Sequence, residues 1–195
     1  MNVTRKDIIT LPHKSLRQRS KRIKSVNDSI KNLIKDMIDV SLDWEAHREH
    51  EVTVGLAAVQ INRLERVIII RDDLEQRTNK KFTALINPEI NAKSGKPIYE
   101  LEGCLSVAGY YGRVKRYPKI TLKALDAEGK PVRINAEGFL ARLLQHEVDH
   151  INGKTYIDRL DKDGELYAMK DDGKLELVSN EEYIEALKYL KGGTN

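Results

Sequence analysis

The sequence predicts an α+β fold: mixed, mainly antiparallel sheets packed around a central helix that carries HEVDH, with an amphipathic helix before them and a short helix at the C-terminus. Three observations support this. Apolar residues recur at helical spacing near residues 30–42 and 140–151, short β-branched runs fill the middle of the chain, and turn residues punctuate them. The 195 residues are expected to form one catalytic domain over 1–195, with 161–195 as a C-terminal hairpin and helix extension.

The first helix is expected from Asn27 to about Asp43, where Ile30, Leu33, Ile34, Met37, Ile38 and Leu42 make one apolar face and Asn27 or Asp28 can cap it. Trp44 to Val52 is polar and reads as a loop, so His47 and His50 are taken as solvated rather than as metal ligands. Strands are expected at 67–70, 82–86, 120–125 and 132–135, the last two joined by a turn at Glu128 and Gly129. The central helix is expected from Gly138 to Asn152, with Gly153 as its stop. Beyond it, a hairpin turns at Asp172 and Gly173, and Ser179 with Glu182 forms a capping box for a helix through Leu190 that reads as solvated.

Composition bounds the function. Apolar residues make up 40% of the chain and charged residues 33%, with no apolar stretch near 18 residues, so no membrane span is expected. The N-terminal segment lacks a secretory signal pattern, and a cytoplasmic location is expected. Lys14, Arg17, Arg19, Lys21, Arg22 and Lys24 form a basic run, most simply a solvated face; a transit peptide or a nucleic-acid patch is the alternative. The net charge of +4 would suit transient contact with an acidic partner such as ribosomal RNA, and nothing points to specific DNA. The single cysteine, Cys104, cannot form an internal disulfide and is a buried apolar residue, a nucleophile or a metal ligand.

On a helix, His146 and His150 lie one turn apart on one face and can converge on an ion, with Glu147 beside them. HExxH also arises on half-buried helices whose histidines only make polar contacts. A metal-assisted hydrolase needs a third protein ligand and an open position for water. The acids after the motif lie in the hairpin and terminal helix, which leaves Cys104 as the better candidate. Gly103 before it permits close backbone approach, and Leu105 after it offers an amide.

GLAAVQ at 55–60, EGCLS at 102–106 and QHEVDHING at 145–153 resemble, in order and spacing, the three signature motifs of peptide deformylases, and the resemblance runs from about Ile8 to Leu160. It implies that Cys104, His146 and His150 hold a divalent metal, with Fe²⁺ favoured over the Zn²⁺, Co²⁺ or Ni²⁺ that the ligand types also allow. It further implies that Glu147 is the general acid and base, that Gln60 and Leu105 line the oxyanion site, and that Gly55 contacts an extended substrate. The reaction expected is removal of the formyl group from N-formylmethionyl nascent peptides, with a metal-activated water as nucleophile and formate as a product. Leu56, Phe139, Leu143 and Tyr110 are candidates for the methionine pocket.

The chain departs from the family pattern at Thr53, where Gly is usual, and at Val59 and Ala108, where Pro is usual. A β-branched residue at 53 adds bulk near the cleft and cannot reach every backbone angle open to Gly, so pocket shape is expected to differ. Two rival readings are an amidase or metallopeptidase acting on unformylated peptides, and a catalytically silent relative that binds nascent chains.

Overall fold

The computed structural model describes residues 3–48, 52–74, 78–161 and 164–192. The first long helix, α1, spans Asp28–Ala46, with the Asn27 side chain accepting from the Ile30 amide at 3.1 Å. It buries Ile30, Leu33, Ile34, Met37 and Val40, and runs three residues past the end expected from its apolar pattern. Glu45 explains the extra length. Its carboxylate accepts from the Thr53 amide at 2.8 Å and pairs with the buried Arg71 guanidinium, so a polar residue is anchored in the last turn. The helix ends at His47, whose Nδ1 lies 2.8 Å from the Asp43 carbonyl oxygen. The segment expected to be a loop is thus helical to Ala46; His47 is exposed and His50 lies outside the described residues.

Five antiparallel strands follow in the spatial order β1 (Gly55–Ala57), β2 (Val67–Arg71), β3 (Phe82–Ser94), β6 (Lys119–Leu125) and β7 (Pro131–Glu137). The second sheet orders β4 (Ile98–Cys104), β5 (Val107–Arg116), β8 (Leu166–Met169) and β9 (Leu175–Leu177). All four expected strands form, and β3 continues to Ser94 where the sequence suggests an end at Ile86. Asn87 absorbs the break: it adopts φ +53° and exchanges two 2.8 Å hydrogen bonds with the backbone of Ile23, and the strand resumes beyond Pro88 with a register shift. β1, β4 and β5 lack the β-branched runs that identify β2, β3, β6 and β7.

β2 organises the core because both its faces are covered. Ile68 and Ile70 pack toward helix α2 (Gly138–His150), while Val67 and Ile69 pack toward α1, as the two-residue period of a strand requires. α2 is buried continuously from Ala141 to His150, which fits a central helix with sheets around it. It stops two residues before the expected Asn152. Gly153, at φ +73°, closes the end; a Cβ there would meet the Arg17 carbonyl oxygen at 2.6 Å.

The C-terminal hairpin forms around Gly173 at φ +79°. Ser179 and Glu182 cap the last helix, α3 (Asn180–Leu190), reciprocally. That helix is not simply solvated: Tyr183 and Leu190 are buried in a third cluster with Leu11, Leu16, Val114, Tyr156 and Leu166. Among the described residues, no helix is long and apolar enough to cross a membrane.

Candidate metal centre

α2 carries His146, Glu147 and His150 inward, and the Nε2 atoms of the two imidazoles lie 3.2 Å apart. Cys104 enters from the last position of β4, where a turn to β5 brings its Sγ to 3.2 Å from His150 Nε2. The three donor atoms fall within 4.8 Å of one another. A tetrahedral ion with metal–nitrogen bonds of about 2.0–2.1 Å separates two nitrogen ligands by roughly 3.3 Å, so the histidine spacing observed fits such an ion. The donor set, one soft thiol and two imidazoles, could hold a divalent transition metal.

The backbone around Cys104 is shaped by its neighbours. Gly103 lies under the Tyr111 ring, where a Cβ would sit 2.5 Å from a ring carbon. The Ser106 amide donates to Sγ at 3.4 Å, and the Ser106 carbonyl accepts from the Leu11 amide at 2.9 Å, which ties the turn to the N-terminal segment. Gln60, buried in the single-turn helix Ala58–Ile61, accepts from the Ala57 amide through Oε1 at 2.8 Å. Its Nε2 must therefore face the other way, toward Cys104 Sγ at 3.5 Å and Ser106 Oγ at 3.3 Å. Leu105 lines the same cleft.

Glu102, also on β4, is the residue that the sequence reading left without a role. Its Oε2 lies 2.9 Å from His146 Nδ1, which turns the Nε2 atom of that ring toward Cys104 and His150. Arg116 donates to both Glu102 oxygens at 2.9 Å, and Arg142 adds a bond at 2.7 Å. Arg116 also reaches Asp149, which is held in turn by Arg159. Burial alone would raise the Glu102 pKa, but the contacts with His146 and Arg116 outweigh it and hold the carboxyl well below its usual range. The same balance, with Arg159 and Arg116 as partners, lowers Asp149. The only local signals for this network were acids next to the proposed ligands, Glu102 in EGC and Asp149 in HEVDH.

The histidines are placed in opposite electrostatic settings. At His146, burial is outweighed by the hydrogen bonds to Cys104 and Glu102, which raise its pKa. His150 has no carboxylate on its ring, and burial beside His146 lowers it. His150 Nδ1 and Glu147 Oε2 are buried polar atoms without a hydrogen-bond partner among the described residues. Burial pushes the Glu147 carboxyl up to about 7. Gly55 is the reason Glu147 fits: a Cβ at that position would lie 2.8 Å from Glu147 Oε1.

These residues floor a cleft of about 340 Å³ whose lining includes Phe139, Leu143, Tyr110, Thr53 and Met169. Three of the four pocket candidates therefore border it. Leu56 does not: it is fully buried and packs toward α1, because on a strand its neighbours Gly55 and Ala57 both face α2 and Leu56 points the other way. Thr53 is buried and outside the left-handed region, with its amide on Glu45 and its hydroxyl 3.4 Å from the Ser41 carbonyl oxygen. Its side chain borders the cleft, where the added bulk relative to Gly was expected. Val59 is core, and Ala108 lines the cleft.

The family model of polypeptide deformylases matches residues 5–165. A peptide deformylase of Thermomicrobium roseum is 39% identical over 85% of this chain and 91% of its own length. One of Halothermothrix orenii is 41% identical over 77% of this chain and 90% of its own. Among solved structures, a peptide deformylase from Legionella pneumophila aligns with a TM-score of 0.72 at 36% identity, covering 94% of this chain and 91% of that one. That of Ehrlichia chaffeensis in complex with actinonin aligns at 0.72 and 34%, covering 83% and 91%. The chain belongs to the polypeptide deformylase family, hydrolases that act on N-formyl peptides.

Proposed function

We propose that this chain removes the N-terminal formyl group from the N-formylmethionine of newly made polypeptides and releases formate. The observation that carries the reading is the convergence of Cys104, His146 and His150 on one point, with a buried carboxyl and a fixed amide donor beside it. A divalent ion bound there would supply Lewis acidity, lowering the pKa of a coordinated water and polarising the formyl carbonyl. Fe²⁺ is the ion proposed.

Glu147 acts as general base and acid. Its carboxyl, raised to about 7 by burial, can hold or release a proton near neutral pH, and a nearby cation would favour the carboxylate. The Gln60 amide, locked by its own Oε1, is a pre-oriented donor for the oxyanion that forms at the formyl carbon, and the Leu105 backbone amide is the second. Gly55 lies on β1, an edge strand that among the described residues pairs with β2 alone, which suits the addition of an extended peptide at its other edge. Glu102 holds His146 in the orientation that keeps Nε2 toward the centre.

Residues 1–195 are proposed to act as one catalytic domain in the cytoplasm, with 161–195 as its hairpin and helix extension, meeting formylated nascent peptides with at most transient contact with the ribosome. The test is an anaerobic formate-release assay on formyl-Met peptides with metal analysis of the same sample. Release from formyl but not acetyl peptides, at one metal per chain, is expected. Equal turnover of acetylated or unblocked peptides would replace this reading with a general amidase.

A further inference from the structure

Strand β8 begins directly after residue 165, the last residue matched by the family model, and it brings one side chain into the cleft. That residue is Met169. β8 is held to β5 by the pairs Gly112↔Leu166, Tyr111↔Tyr167 and Tyr110↔Ala168, and the same register sets Met169 opposite Gly109. Gly109 has φ +76° and open space where a Cβ would be, so Met169 is not packed away behind it. It is braced instead from the side: the Tyr111 hydroxyl lies 3.9 Å from its Sδ, and the Tyr111 ring rests on Gly103, next to Cys104.

Adjacent strands are about 4.8 Å apart, which puts β8 roughly 10 Å from β4, two strands away. An extended peptide advances about 3.3 Å per residue, so a wall this far from the strand of Cys104 lies beyond the reach of the first residue of a chain whose carbonyl sits at the centre. Leu143 marks the other end, one helical turn from Glu147 and close to Gly55. The groups at the far wall, a thioether with the Tyr111 ring beside it, offer apolar and aromatic contact.

We propose that Met169 is a specificity-determining residue, supplied by the C-terminal hairpin, that favours substrates with a large apolar or aromatic side chain after the formylated methionine. The proposal rests on the deformylase reading above. It is tested by measuring kcat/KM of the metal-loaded wild type, Met169→Ala and Met169→Leu on formyl-Met-Leu, formyl-Met-Phe and formyl-Met-Ala peptides. Truncation at 169 should lower the preference for Leu or Phe over Ala about tenfold, the size of effect that lost apolar contact produces. The loss should appear in KM, and Met169→Leu should restore most of it. An unchanged preference in Met169→Ala, with thermal unfolding like that of the wild type, would overturn the proposal; so would an equal loss on all three substrates.

A binding readout separates this from the activity. Trp44, the single tryptophan, lines the cleft, so its fluorescence can follow titration with the unformylated Met-Leu and Met-Phe peptides. If the wild type released no formate from any formyl peptide, the deformylase reading would fail. Weaker binding of those peptides by Met169→Ala would still support Met169 as a recognition residue, and unchanged binding would reject it.

Discussion

The two sides of the cleft are built on different physical terms. Where β4 meets α2, Glu102, Arg116, Arg142 and Asp149 are all buried, and each carboxylate is met by more than one guanidinium bond. Where the end of α1 faces β8, Arg48 is exposed, stacked over Trp44 at 5.0 Å, and Trp44 and Met169 are half-buried. The difference separates two tasks. A buried, fully bonded network has one low-energy arrangement and can hold donor atoms to a fraction of an ångström, whereas a half-buried apolar wall can be exchanged for another without disturbing them.

The comparison breaks most visibly at Glu102. Glu102→Gln removes the charge that Arg116 and Arg142 share and turns one of the two acceptor oxygens into an NH2 donor, which must then face either the guanidinium groups or the His146 side. Leaving buried charges without their partner costs about 3–5 kcal/mol, and loss of a group orienting a ligand lowers metal affinity or activity about 10- to 100-fold. Thermal unfolding and metal titration of the variant check both. Wild-type values for both would show that the network does not position the centre.

A smaller effect is expected from acid. The pKa values of Glu102 and Asp149 are depressed in the folded chain, so the stability they contribute is complete above the unfolded carboxylate pKa of about 4 and is lost as pH falls through their folded values. Stability measured by equilibrium unfolding should therefore fall steadily below pH of about 4, and Glu102→Gln should flatten that slope. An unchanged slope in the variant would assign the acid sensitivity elsewhere.

The smallest effect is expected at Thr53, on the cleft's outer side. Thr53 has no positive φ for glycine to relieve, and its hydroxyl bond is long. Thr53→Gly should cost about 2 kcal/mol, from backbone entropy, one weak hydrogen bond and the buried methyl it deletes, in chemical denaturation. A gain in stability would show strain at this position.

The sequence revealed those parts of the centre that are local. His146, Glu147 and His150 share one helical face by spacing alone, and Gly153 marks where that helix must stop. Cys104 could be argued only as the best remaining ligand, until its β4 position brought it to His150. The network was not readable, because Glu102 meets His146 across 44 residues and Arg142 across 40, and no periodicity records such pairs. β4 and β5 were missed for a related reason. Their sequences, IYELEGC and VAGYYGRVKR, place charges and glycines where a strand is usually apolar, and of those charges Glu102 and Arg116 fold under α2. α1 outran its apolar pattern because Glu45 is anchored by Arg71, a tertiary contact that a helical period cannot show.

The most direct test of the central claim is Glu147→Gln, measured for metal content and formate release on the same sample. Gln keeps the side-chain shape beside Gly55 but cannot accept and return a proton, so metal occupancy equal to wild type is expected with turnover lower by about 10²- to 10⁴-fold. Near-normal deformylation with metal bound would contradict the role of Glu147 and, with it, this account of the site.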